Sequence, residues 1–95
     1  MTQMTTDPDA ALQAYHLAVE ETFGALRGRR VLLAPADFQL VSSWHHQGIP
    51  LDLVQRTLEA VAAQRRARGQ HGAISSLRYF APAVADAWAA RRPRG

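Results

Sequence analysis

The chain has no cysteine and no lysine. Without cysteine there are no disulfides, no thiolate zinc or iron–sulfur centres and no thiol nucleophile. Without lysine every strong base is an arginine, whose planar fork suits phosphate and carboxylate better than an ammonium does. A GC-rich genome also favours arginine and alanine codons together. Long apolar runs are missing: nothing approaches the roughly 18 uninterrupted apolar residues of a membrane span. The opening Met1–Asp7 has neither the basic start nor the apolar run of a signal peptide. A cytoplasmic protein with no membrane contact is the expectation. Glycine forms no phosphate-cradling loop; Gly24, Gly28 and Gly48 read as helix punctuation. Large anchors are few: Tyr15, Phe23, Phe38, Trp44, Tyr79, Phe80 and Trp88, with Leu, Val and Ile filling in.

Ninety-five residues make one domain, and a chain of that size buries roughly two-thirds of its unfolded surface. The hydrophobic content of 47% is ordinary, but much of it is alanine, which favours helix and fills little volume. The net charge of +3 is unevenly spread. Residues 1–26 hold Asp7, Asp9, Glu20 and Glu21 and no arginine; residues 27–95 hold all 11 arginines against Asp37, Asp52, Glu59 and Asp86.

Periodicity predicts an all-α, single-domain bundle of about four helices with short loops, near residues 8–27, 35–47, 51–68 and 76–91. Residues 1–6 read as a flexible N-terminus, 7–90 as the helical domain and 91–95 as a basic tail. Thr6 and Asp9 form a capping pattern with Pro8 in the first turn, and Leu12, Tyr15, Val19, Phe23 and Leu26 give one apolar stripe. Pro35 opens a second helix whose inner face is expected to be Phe38, Val41 and Trp44 or His45. Pro50 and Asp52 open a third, with Leu51, Val54, Leu58, Val61 and Ala62 inward. Ser75 or Ser76 caps a fourth, with Leu77, Phe80, Val84 and Trp88 inward and a kink or broken first turn at Pro82.

No catalytic, cofactor or metal site is expected, and no enzyme. His45 and His46 are adjacent on a helix, about 100° apart, and cannot grip one metal together. His16 and Glu20 stand at i, i+4 and read as a surface pair more readily than as metal ligands. No Gly-flanked serine nucleophile appears. The second and third helices around Gly48 have the rhythm of a helix-turn-helix, but Trp44 sits where a small residue is usual. The would-be recognition helix also offers Asp52 and Glu59 to phosphate. An ordinary helical hairpin is the simpler reading.

The pattern Trp44-x3-Gly48-Ile-Pro-x3-Val54-x3-Leu58, a basic turn, then Tyr79-Phe80-x3-Val84-x3-Trp88 carries a resemblance. Over about residues 33–90 the chain resembles the DnaD-like domain of bacterial and phage replication-initiation proteins. That family has short helices, a Trp before a Gly turn, and a final aromatic-x3-aliphatic-x3-Trp helix implicated in DNA binding. Here Phe80 stands in for the family's usual Tyr, unless Tyr79 does so out of register, and Pro82 falls where the family's helix runs on. The N-terminal helix has no counterpart. Phe80, Val84 and Trp88 are equally what any amphipathic helix needs to reach a core.

Arg65, Arg66, Arg68 and Arg78 flank the turn Gly69–Gly72. Four phosphate contacts correspond to a salt slope near −3.6 on duplex and about −2.8 on single-stranded DNA. Three of these arginines also complement the C-terminal dipole of the third helix; Arg78, near a helix start, has no such gain. Tyr79 is a candidate base-stacking residue, and Arg91 and Arg92 begin a basic tail. The expected function is a non-enzymatic DNA-associated accessory module, with single- or double-stranded DNA as partner. The alternative is a protein-interaction or homo-oligomerising subunit in which the acidic N-terminal helix docks on a basic partner.

Overall fold

The computed structural model describes residues 8–29 and 31–91. Their order is α1 (Pro8–Arg27), α2 (Pro35–His46), α3 (Leu51–Ala67), a 3-10 turn (Leu77–Phe80) and α4 (Ala81–Arg91). The fold is all-α, 77% helical with no strand among the described residues. None of those helices is long and apolar enough to cross a membrane. The expected Thr6 cap, the N-terminal residues 1–6, Arg30, Arg92 and the rest of the tail lie outside the described residues.

The long helices close in the same way. At α2, Gly48 adopts φ 80°, its N–H reaches the His45 carbonyl and the Ile49 N–H reaches that of Trp44. At α3, Gly69 at φ 80° sends its N–H to Arg66 while the Gln70 N–H bonds Arg65. Both are Schellman closures, in which a left-handed residue lets two orphan carbonyls be satisfied. Gly28 ends α1 on the same pattern, through Ala25 and Gly24. The fourth helix begins in two steps. Ser76 caps the 3-10 turn by accepting from the Arg78 N–H. Pro82 then falls in the first turn of α4, where its missing N–H is tolerated.

The core joins Tyr15, Val19 and Phe23 of α1, Val41 and Trp44 of α2, and Leu53, Val54 and Leu58 of α3. Ile49, Leu77, Phe80 and Val84 complete it. Phe23 and Phe80 meet edge to face, ring centres 6.1 Å apart. α3 is central, packed on α1 and α4, whereas α2 rests on α1 and the 3-10 turn and barely touches α3. A helix-turn-helix needs the opposite arrangement. Residues of the would-be recognition face are already engaged: Gln55 donates to Thr22 Oγ1 at 3.1 Å and Asp52 pairs with Arg91 at 3.3 Å.

Some expected positions are corrected. Phe38 is 51% exposed rather than on the inner face of α2; that face is Asp37, Val41 and Trp44. Phe38 instead stacks on His16 at 3.8 Å. Trp44 is buried, but Trp88 is only partly so and packs at the margin of the core. His16 is not a surface partner of Glu20. It is buried, with Nδ1 3.2 Å from the Leu12 carbonyl and Nε2 3.0 Å from that of Phe38. Glu20 accepts the Leu33 N–H at 3.2 Å.

Two side chains, Tyr15 and Asp37, make further long-range polar contacts that tie the helices together. The Tyr15 hydroxyl donates to the Ile49 carbonyl at 2.8 Å, fastening α1 to the α2–α3 turn. Asp37, buried in the first turn of α2, accepts from the Ser76 hydroxyl at 2.8 Å and the Leu77 N–H at 3.2 Å. That carboxylate sets where the 3-10 turn starts, and so where Arg78 and Tyr79 emerge.

Candidate nucleic-acid interface

Arg65 continues the inward stripe of Leu58 and Val61 into the last turn of α3, four residues after Val61, while Arg66 turns to the side and is exposed. The Gly69 closure then sends the chain back across that end. Arg65 Nη1 donates to the Gly72 carbonyl and, at 3.5 Å, to that of Gln70. Its guanidinium lies 5.6 Å from the centre of the Tyr79 ring. Arg65 is therefore a clamp holding the loop and the 3-10 turn to α3, as well as a charge. Tyr79 is 49% exposed, its ring edge to face with Phe80 at 5.6 Å.

Between these elements lies a cavity of about 240 Å³. Arg27, Arg65, Arg66 and His71 line it, over apolar groups that include Phe23, Leu26, Ile74 and Phe80, and no carboxylate is among the lining residues. Arg27 arrives from the end of α1, its guanidinium 5.8 Å from the Phe23 ring centre. Its Nε is buried without a hydrogen-bond acceptor, an arrangement that costs about 1–3 kcal/mol. Among the described residues, no carboxylate lies within 4.0 Å of the side-chain nitrogens of Arg27, Arg65, Arg66, Arg68 or Arg78.

The structure thus groups most, not all, of the residues singled out by sequence. Arg65 and Arg66 share the cavity, Tyr79 touches Arg65, and Arg68 and Arg78 flank the same loop without lining it. Arg91 stands elsewhere. It pairs with Asp52 at 3.3 Å, at the start of α3 and roughly 20 Å along that helix from Arg65. Arg92 is outside the described residues. Arg27 and His71 were not anticipated as members. Arg27 had a legible signal, lying four residues after Phe23 and so on the same face of α1. His71 had none, because only the path of the loop brings it there.

Another face of α1 has a different character. Leu17, Leu32 and Phe38 are 61%, 86% and 51% exposed, enough apolar area to notice on a domain this small. Leu17 and Leu32 line a groove with Glu20, Glu21 and Arg29, and a neighbouring hollow runs past Asp9, Leu17 and Phe38. No family model, curated protein or solved structure matches the chain.

Proposed function

We propose that this chain is a cytoplasmic, non-enzymatic accessory module that holds DNA by its phosphates at the α3 end. The supporting observation is the convergence of Arg65 and Arg66 with Arg27 and His71 on one cavity, flanked by Arg68 and Arg78. Guanidinium groups without a carboxylate neighbour have no ion pair to give up when a phosphate arrives, and give charge-assisted hydrogen bonds. The half-exposed Tyr79 ring beside them is suited to stacking on a base. The likeness to DnaD-like domains agrees in direction and suggests a bacterial or phage replication setting. Arg91, engaged by Asp52, takes no part in this reading.

The experiment is a titration of internally labelled single- and double-stranded DNA at two salt concentrations. Binding that weakens steeply with salt and is indifferent to sequence supports the reading; no binding at low salt removes it.

A second reading is favoured by the apolar groove of Leu17 and Leu32 beside Glu20 and Glu21. Under it the chain is an interaction subunit whose α1 face receives a basic, apolar surface. Light scattering after size exclusion then shows an assembly that dissociates with added salt, and Leu32→Asp abolishes it while DNA binding is absent.

A further inference from the structure

The arginine cavity has more than a surface patch needs for holding a polyanion. Its basic groups come from α1, α3 and the loop, and converge on one half-open hollow rather than spreading along a groove. Its floor is apolar and partly aromatic, through Phe23, Leu26, Ile74 and Phe80. At about 240 Å³ it falls below the roughly 300 Å³ at which sites for drug-sized ligands begin. Its rim, where Arg66 and His71 are exposed, is open to the phosphates of a passing strand, but its interior has no room for several nucleotides. What fits the space is one end: a single phosphate with the group it carries.

Charge points the same way. A phosphate monoester carries about −1.5 to −2 near neutral pH, against a single charge on a mid-strand diester. Among the described residues the Arg66 guanidinium has no hydrogen bond or ion pair, and that of Arg27 makes only its contact with the Phe23 ring. Both are available to a dianion while Arg65 keeps the loop in place.

We infer that this cavity receives a nucleoside monophosphate end group, its terminal phosphate on Arg27 and Arg66 and its base against the apolar floor. The end group comes either from a free mononucleotide or from a phosphorylated strand end; only the second source rests on the nucleic-acid reading above.

The test uses the full chain and single strands of one sequence, labelled internally, carrying a 5′-phosphate, a 3′-phosphate or hydroxyls at both ends. A free nucleoside monophosphate serves as competitor. The expected result is about tenfold or tighter binding of one phosphorylated strand over the hydroxyl strand. The mononucleotide should displace that advantage and leave the residual hydroxyl-strand binding alone. Ala62→Leu, which fills the lining without changing charge, should abolish the difference and leave hydroxyl-strand affinity unchanged. Arg27→Gln should also abolish the difference, with some loss of hydroxyl-strand affinity because Arg27 belongs to the proposed phosphate cluster, and circular dichroism verifies that both variants fold. Equal affinity for all three strands, or an advantage that survives Ala62→Leu, overturns the end-group site while the DNA reading stands. Mononucleotide binding without strand binding keeps the site and removes the DNA reading. No binding of any of these ligands removes both.

Discussion

At the scale of single residues, the contacts that organise this domain are buried polar ones. Burial pushes the Tyr15 phenol up from 10.0 to about 12, so the fold favours its neutral, donating form. The sign follows from that. The contribution is complete below pH 10 and is lost as pH rises toward 12, amounting to about 2–3 kcal/mol. Denaturant titrations across that range should show stability falling as pH rises. Tyr15→Phe should flatten the fall and, by leaving the Ile49 carbonyl unpaired, cost about 1–2 kcal/mol at neutral pH. Asp37→Ala strands the Ser76 hydroxyl and the Leu77 N–H together, and should cost about 2–4 kcal/mol in the same assay. A neutral effect would mean that the carboxylate does not set the start of the 3-10 turn. Neither role was legible in sequence. In sequence Asp37 is one more acidic residue near a helix start and Tyr15 one of a stripe, because their partners lie 39 and 34 positions away. His16 was misread for the same reason: its partner carbonyl on Phe38 belongs to another helix.

At the scale of elements, apolar periodicity and glycine punctuation were enough to show an all-α fold of four helices, because helix signals are local. Pro82 marked the broken start of the last one. Faces were harder. Phe38 looked inward by its chemistry, whereas Asp37, Val41 and Trp44 define the buried side at spacings of four and three. The two tryptophans separate these cases. Trp44, buried on the inner face, should lose about 3–5 kcal/mol on change to Ala; Trp88, only partly buried, should lose distinctly less. Thermal melts of the two variants measure this, and equal losses would contradict the burial difference. The helix-turn-helix rhythm around Gly48 failed because rhythm says nothing about packing. α2 and α3 are joined by a tight turn yet lean on other partners.

For the whole molecule, the chain is polar in charge: acidic residues gather on α1, and arginines crowd the end where α3, the loop and the 3-10 turn meet. On the proposed reading, this arginine cluster is where a polyanion is drawn in before any specific contact is made. The cluster was half legible, since Arg65, Arg66, Arg68 and Arg78 border one turn. Arg27 and His71 join it only through tertiary packing, and Arg91 leaves it because Asp52 is within reach. The most direct test is the salt dependence of DNA affinity for wild type and for a combined Arg66→Ser, Arg68→Ser and Arg78→Ser variant. Arg65 is kept because it clamps the loop, and Glu21→Gln serves as a charge control with affinity equal or slightly tighter. Three lost phosphate contacts should flatten the log–log slope by about 2.7 on duplex and about 2.1 on single-stranded DNA, with helix content unchanged. A slope that does not move in that variant, or wild-type protein with no affinity for DNA at low salt, contradicts a phosphate-binding arginine end.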